Sequence, residues 1–131
     1  MIVLEDDLQV SPDFLLYFDW SIKLFEMDDS VYCISAWNDH GMTHAVGSGN
    51  IFNRVEGMPG LGWATSREII DELLPKWLPK GRFTDWDVWM RKPSIRKGRP
   101  YLKITYDNSV FKRETVLHLT HLELTILAKM A

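Results

Sequence analysis

Several features that often identify a protein are scarce or missing in this chain of 131 residues, and each absence excludes a class of protein. The single cysteine, Cys33, excludes an intrachain disulfide and a cysteine-rich metal site. The longest apolar run, residues 14–18, is far shorter than the roughly 20 residues that cross a bilayer, so no membrane contact is expected of this segment itself. The net charge of −3 comes without a basic stripe, so nucleic acid is not an expected partner.

The remaining composition is that of one soluble globular domain. Hydrophobic residues make up 46% of the chain and charged residues 25%, which excludes disordered, collagen-like and low-complexity proteins. A chain of this length buries roughly two-thirds of the surface that its unfolded state exposes, so we expect one core and no second full domain. We expect Cys33 to be a small buried hydrophobic residue within that core.

The first part of the chain predicts a strand, a helix and a second strand. Residues 2–4 are apolar and stop at three acids, as expected of a short buried strand. Ser11 and Pro12 suit a helix start, and apolar residues recur at helical spacing after them, so we predict one helix over about 12–27. Residues 31–37 are apolar at almost every position, which is typical of a strand covered on both faces. This order predicts a βαβ unit and an α/β fold.

The rest of the chain predicts shorter elements separated by glycine and proline. Thr65 and Glu68 have the spacing of a capping box at a helix start. The predicted elements are a loop over 38–50, a strand near 51–55, a fixed turn over 57–63, a helix that Thr65 or Ser66 begins and Pro75 ends, a helix from Asp85 to about Lys92 capped by Thr84, and a strand over 100–106. No element is predicted for 116–127.

An acid triplet, Glu5-Asp6-Asp7, ends the first predicted strand. Neighbouring carboxylates are costly to bury unless a cation or a proton compensates them, and α/β sheets bind ligands at the carboxyl ends of their strands. If the strand continued, Glu5 and Asp7 would share one face at a separation of roughly 7 Å. Oxygen ligands of this kind suit Mg²⁺ or Mn²⁺. The alternative is a solvated acidic turn ahead of the helix.

The second candidate is Asp87, which lies between Trp86 and Trp89. Partly apolar surroundings of this kind suit a carboxylate that acts as a general base. The alternative is structural, because Asp87 follows Thr84 by three residues and can support a helix cap, while the Trp side chains belong to the core.

The four histidines do not predict a metal site. His118 and His121 stand three apart, with no third His or Cys at metal spacing, and His40 and His44 lie in the predicted loop. We predict structural or surface roles for all four.

Five blocks, in order, resemble glycosyltransferase family 13 and together extend from residue 3 to residue 91. They are Val3-Leu4-Glu5-Asp6-Asp7-Leu8, Ser11-Pro12-Asp13-Phe14, Ile34-Ser35-Ala36-Trp37-Asn38-Asp39, Pro59-Gly60-Leu61-Gly62-Trp63 and Trp86-Asp87-Val88-Trp89-Met90-Arg91. The resemblance implies a GT-A fold, Mn²⁺ as cofactor, and an inverting β-1,2 transfer of GlcNAc from UDP-GlcNAc to a terminal mannose of a glycoprotein glycan.

The resemblance also implies a role for individual residues. Asp87 is expected to be the catalytic base and Asp7 a direct ligand of the metal. The residues expected to contact the donor substrate are Glu5, Asp6, Leu61 and Trp86.

The family pattern further implies that residues 1–131 form a partial catalytic domain, the C-terminal half of a GT-A fold. The nucleotide-binding half and a membrane anchor are expected to precede it, in a type II membrane protein of the Golgi lumen. Residues 117–124 resemble a later family segment, but the stretch before them is shorter than in the family by about twenty residues. The alternative function is a noncatalytic glycan-binding relative or fragment without turnover.

Overall fold

The computed structural model of the chain describes residues 1–5, 8, 10–38, 51–57, 60–79 and 85–105. In chain order these residues form β1 (Ile2–Val3), α1 (Phe14–Ser21), α2 (Leu24–Met27), β2 (Cys33–Ser35), β3 (Ile51–Val55), β4 (Trp63–Ala64), α3 (Arg67–Leu73), a 3₁₀ turn (Leu74–Lys76), α4 (Trp86–Met90), α5 (Pro93–Arg96) and β5 (Tyr101–Thr105). None of these helices is long and apolar enough to cross a membrane.

The strands form one mixed sheet in the order β1-β4-β2-β5-β3. β4 pairs antiparallel with β1 and with β2, and Trp63 lies opposite Val3 on one side and Ser35 on the other. β5 is parallel to β2 and antiparallel to β3. Strands β1, β2 and β5 therefore point in one direction and finish together, after Val3, Ser35 and Thr105, at what we call the carboxyl end of the sheet. The predicted α/β class and βαβ unit are confirmed, with β4 inserted between the two strands of that unit.

Helices cover both faces of the sheet, because alternate residues of a strand point to opposite sides. On one face, Ile34 and Ala64 pack toward α1 and α2. On the other face, Cys33, Trp63 and Tyr101 pack toward the helices that follow β4. The buried residues of those later helices are Ile69, Leu73, Trp89 and Met90.

The buried position of Cys33 confirms the expectation from composition. The thiol is free and the residue has no exposed surface. Burial raises the pKa of the Cys33 thiol, since the charged thiolate is poorly stabilised away from water. Cys33 is therefore a packing residue of the core.

The prediction of one helix over 12–27 is wrong, because the chain forms two helices there. The Ser11 hydroxyl donates a hydrogen bond to the Asp13 carboxylate, and α1 begins at Phe14 without a side-chain cap. Beyond α1, the Phe25 N–H donates to the Ile22 carbonyl at 3.1 Å, a three-residue spacing that tightens the chain into a turn. Ile22, a member of the predicted apolar face, is exposed just before this turn.

The predicted capping box of the next helix is also wrong in its first residue. The Thr65 hydroxyl donates to the Tyr32 carbonyl at 2.7 Å, which ties the segment before α3 to the segment before β2. The N-cap is Ser66, whose side chain accepts from the Ile69 N–H at 3.4 Å. The α-helix ends at Leu73, and Pro75 lies in the 3₁₀ turn after it, as its restricted backbone requires.

The later elements are shorter than predicted. α4 begins at Trp86 after Asp85 and ends at Met90, and a separate helix, α5, begins at Pro93. The predicted cap Thr84 lies outside the described residues. The strands predicted near 51–55 and over 100–106 are confirmed as β3 and, within the described residues, as β5.

Arg99 joins α3 to the segment that leads into β5. Its guanidinium donates to both carboxylate oxygens of Glu72, at 3.1 and 3.3 Å, and lies over the Tyr32 ring at 4.8 Å from the ring centre. Lys97 also pairs with Glu72, at 3.0 Å. Hydrogen bonds from Lys97 and Arg99 lower the pKa of the Glu72 carboxyl. These contacts fix the end of the sheet that lies opposite the carboxyl end.

Gly62, immediately before β4, is required both by its backbone and by its neighbours. Its φ of +64° lies in the left-handed region that side chains disfavour. A Cβ at this position would lie 2.9 Å from Cε2 of Phe14 and 3.7 Å from Cδ1 of Leu4. The absence of a side chain therefore lets α1 approach the start of β4 closely.

We expect Gly62→Ala to lower the free energy of unfolding by about 2–4 kcal/mol, because the change adds both backbone strain and a clash with Phe14. Urea unfolding measures this loss. Gly98→Ala is the matched control, since Gly98 has a φ of +74° but no atom within 4 Å of the added Cβ. A loss at Gly62 no larger than the loss at Gly98 would contradict a role for the close approach.

Candidate functional site

The acid triplet follows β1 at the carboxyl end of the sheet. Glu5 is exposed there, and its carbonyl accepts a hydrogen bond from the Leu8 N–H at 3.3 Å, so the chain turns directly after β1. Asp6 and Asp7 lie outside the described residues. The structure thus confirms where the triplet starts, and the roles of Asp6 and Asp7 stay predictions.

Leu61 lies at the same end of the sheet as Glu5. β4 runs antiparallel to β1, so the chain approaches Trp63 from Leu61 while it leaves Val3 toward Glu5. The Gly62 carbonyl accepts from the N–H of Ala36 at 2.9 Å, beside the end of β2. Leu61 is half-buried, so it presents part of an apolar side chain where three parallel strands finish. This is the position at which α/β sheets bind their ligands.

Trp63 and Trp86 connect the sheet to α4. Their rings stack with centroids 5.7 Å apart and planes inclined by 22°. Trp63 is buried among the residues of its face, whereas Trp86 is half-buried and packs against them. Because Trp86 is the first residue of α4, this stack fixes the start of the helix against the central part of the sheet.

Asp87 follows Trp86 and lies in the first turn of α4. Its Oδ1 accepts from the Val88 N–H at 2.7 Å, and its Oδ2 pairs with Nη2 of Arg91 at 3.0 Å. The side chain retains 27% of its possible exposure. Each carboxylate oxygen has two lone pairs, so each can accept one further hydrogen bond beside the contact that it makes. The group is thus oriented by contacts within its own helix and remains partly exposed.

The structure places the described members of the predicted site in two groups. Glu5 and Leu61 lie at the carboxyl end of the sheet, whereas Trp86 and Asp87 lie at the start of α4, which the stack with Trp63 holds against β4. The roles of Trp63 and Arg91 were missed by sequence reasoning. The spacing of four between Asp87 and Arg91 is a signal that would have found the ion pair.

The predicted metal site is not tested by the part of the chain that the structure describes. Within that part, no group of three or more His, Cys, Asp or Glu side chains is placed to hold a metal ion. The predicted direct ligand, Asp7, is outside it, as are His40, His44, His118 and His121.

Two comparisons with known proteins match the region that contains the site. The family model described as the GNT-I family matches residues 1–109. The alpha-1,3-mannosyl-glycoprotein 2-beta-N-acetylglucosaminyltransferase of Arabidopsis thaliana is 39% identical over 103 residues, which are 79% of this chain and 22% of that protein. The chain therefore spans about a fifth of the length of this curated relative.

We expect the Trp63 and Trp86 side chains to stabilise the fold cooperatively. In a double-mutant cycle with Trp63→Leu and Trp86→Leu, stacking predicts a coupling energy of about 0.5–1.5 kcal/mol in the free energy of unfolding measured in urea. Trp20→Leu combined with Trp86→Leu is the control, because Trp20 is exposed on α1 beyond the other face of the sheet. Additive losses for Trp63 and Trp86 would show that the stack does not anchor α4.

Proposed function

Because this chain belongs to the GNT-I family, we propose that it is part of an enzyme that transfers N-acetylglucosamine to a mannose of a glycoprotein glycan. The observation that carries the proposal is the 39% identity to the Arabidopsis transferase, over a stretch as long as 79% of this chain. The family match from residue 1 to residue 109 includes the acid triplet, Leu61 and α4. The geometry supports it, since the Asp87 carboxylate is oriented and partly exposed at the start of α4, the helix that the Trp63–Trp86 stack holds against the sheet.

The proposed donor is UDP-GlcNAc and the proposed cofactor is Mn²⁺. Asp7 would hold the ion, with Glu5 and Asp6 beside the donor sugar and nucleotide, because carboxylate oxygens suit this metal. When bound, the ion supplies positive charge that offsets the charge developing on the departing UDP. Glu5, which is exposed directly after β1, is accessible to a ligand at this position.

Asp87 is the proposed general base of an inverting β-1,2 transfer. The mannose O2 oxygen attacks the anomeric carbon from the side opposite UDP, so a new carbon–oxygen bond forms as the bond to UDP breaks. The hydroxyl proton passes to the Asp87 carboxylate, and the electron pair of the broken bond leaves with UDP. The contacts of Asp87 with Val88 and Arg91 leave lone pairs available for this proton.

Trp86 and Leu61 are the proposed lining of the sugar site. Both are half-buried, so each offers an apolar surface that suits the carbon–hydrogen face of a pyranose ring. The stack with Trp63 fixes the Trp86 ring before any sugar arrives, which reduces the ordering that binding requires.

The acceptor is proposed to be a mannose-terminated glycoprotein, following the printed name of the Arabidopsis relative. From the resemblance of the five sequence blocks to glycosyltransferase family 13, we also propose that the complete protein acts in the Golgi lumen and is anchored there as a type II membrane protein.

Asp87→Asn is expected to lower kcat for GlcNAc transfer to a mannoside by about 10²–10⁴-fold, since the amide removes the proton acceptor. Labelled UDP-GlcNAc, Mn²⁺ and a mannose-terminated acceptor provide the assay. Asp85→Asn is the matched control, because Asp85 is exposed, lies two residues away and makes no side-chain cap hydrogen bond. It is expected to stay within about twofold of the unchanged chain.

Asp7→Ala tests the metal part of the proposal in the same assay, with Mn²⁺ binding followed by calorimetry. Loss of both transfer and Mn²⁺ binding supports the enzyme. Mannoside binding by the unchanged chain with no product would favour the noncatalytic glycan-binding alternative. Activity that survives Asp87→Asn would refute the assignment of the base.

A further inference from the structure

We propose that Arg91 is a positioning residue that fixes the Asp87 carboxylate in the orientation needed for proton transfer. The proposal rests on the role of Asp87 given under the proposed function. Arg91 acts through its ion pair with Asp87 and need not touch the sugar. The assignment follows from the geometry of this pair, from the anchoring of α4, and from a comparison with a second pair of the same spacing.

The carboxylate of Asp87 is held at both oxygens. The Val88 N–H donates to Oδ1 at 2.7 Å, and Nη2 of Arg91 lies 3.0 Å from Oδ2. The outer torsion of an aspartate side chain has broad minima, so one contact alone leaves the carboxylate plane poorly defined. Rotation about this torsion would break at least one of the two contacts. Arg91 therefore supplies the second point that defines the plane.

The backbone of α4 gives Arg91 a fixed base from which to reach Asp87. The Arg91 N–H donates to the Asp87 carbonyl at 3.1 Å, so the two residues lie one helical turn apart on one face. Trp89 and Met90, directly before Arg91, are buried in the core. Trp86 is held by its stack with Trp63. The backbone position of Arg91 relative to the sheet is consequently set by the core.

A second pair of the same spacing shows what distinguishes this contact. Arg67 and Asp71 on α3 are also four residues apart, but their closest atoms are 3.5 Å apart and their side chains are 88% and 61% exposed. The Arg91 and Asp87 side chains are 45% and 27% exposed, at 3.0 Å. Water and salt screen a charge pair less when it is partly buried. The pair on α4 is therefore better suited to hold a side chain in one orientation.

The chemical reason for such a residue is the sensitivity of proton transfer to geometry. A displacement of about 1 Å at a reacting group can cost about 10²-fold in rate. During transfer the proton moves from the mannose hydroxyl to Asp87, while Arg91 keeps its own proton, because a guanidinium is not deprotonated in proteins. Arg91 thus takes no part in the proton transfer itself, and we expect its effect on the orientation of Asp87 to appear in kcat.

The test compares Arg91→Ala, Arg91→Lys and Arg67→Ala in the transfer assay. We expect Arg91→Ala to lower kcat about 10–100-fold, with KM for UDP-GlcNAc within about twofold of its original value. Arg91→Lys should restore most of the rate, since one nitrogen of Arg91 makes the observed contact with Oδ2. Arg67→Ala, which removes the exposed pair on α3, should leave kcat unchanged. A kcat for Arg91→Ala equal to that of Arg67→Ala, or a loss confined to KM, would overturn the proposal.

A second readout does not depend on turnover. Weaker positioning of Oδ1 should move the NMR signal of the Val88 amide proton in Arg91→Ala and leave it in place in Arg67→Ala. If the complete protein that contains this chain makes no product, the proposed function fails and the Val88 signal still decides whether Arg91 orients Asp87. If Asp87→Asn abolishes transfer but Arg91→Ala changes neither kcat nor the Val88 signal, the positioning proposal alone is refuted. Should Arg91→Ala fail to fold, Arg91→Lys and Arg91→Gln carry the same comparison, with rate and signal retained in the first and lost in the second.

Discussion

The arrangement of the described chain depends on the backbone pairing of β4 with two strands at once. Trp63 and Ala64 form hydrogen-bonded ladders with β1 on one side and β2 on the other, although these strands belong to one βαβ unit and are separated by two helices along the chain. Backbone groups in a sheet interior need partners, and β4 provides them for both neighbours. The direction of β4 also makes β1 and β2 parallel, so their ends and the groups that follow them meet at one end of the sheet.

The ends of β4 extend this constraint to both helical layers. Just before β4, Gly62 has no side chain, so the ring of Phe14 can pack closely there and α1 lies against the sheet. Just after β4, the Thr65 hydroxyl donates a hydrogen bond to the Tyr32 carbonyl. The Thr65 carbonyl accepts a hydrogen bond from the amino group of Met1, at 2.8 Å. Within β4, the Trp63 ring stacks on Trp86 and so holds α4 against the sheet. A segment of four residues thus sets the positions of β1, α1, α3 and α4.

The position of Asp87 in the candidate site depends on nonpolar packing of α4, and the orientation of its carboxylate depends on polar contacts. Nonpolar contacts place α4, and charge and hydrogen bonding then orient Asp87 within it through Val88 and Arg91. Packing is suited to placing a helix, since it is strong but without direction, whereas a carboxylate plane requires directional contacts. The partly buried position of the Asp87–Arg91 pair limits the screening of its charges by water and salt and leaves part of the carboxylate exposed.

Long apolar patterns and local residue chemistry were sufficient to predict much of this protein. The α/β class, the buried strand around Cys33, the strands at 51–55 and 101–105, and the helix after Ser66 are all confirmed. Family membership could also be predicted, because ordered blocks such as the one around Trp86 and Asp87 identify a lineage independently of the fold. The break within 12–27 was missed because its cause is a change of hydrogen-bond spacing after α1, which apolar spacing does not record.

The sequence by itself therefore determined the types of the main elements, the family, and the candidate residues. Only the tertiary structure decided that β4 exists between β1 and β2, since a strand of two residues is too short to show a period and is stabilised by partners distant in the chain. It also decided that Thr65 binds Tyr32 instead of capping α3, and that Trp63 stacks on Trp86. Each of these contacts joins segments far apart along the chain, and such contacts arise when the whole sheet brings their groups together.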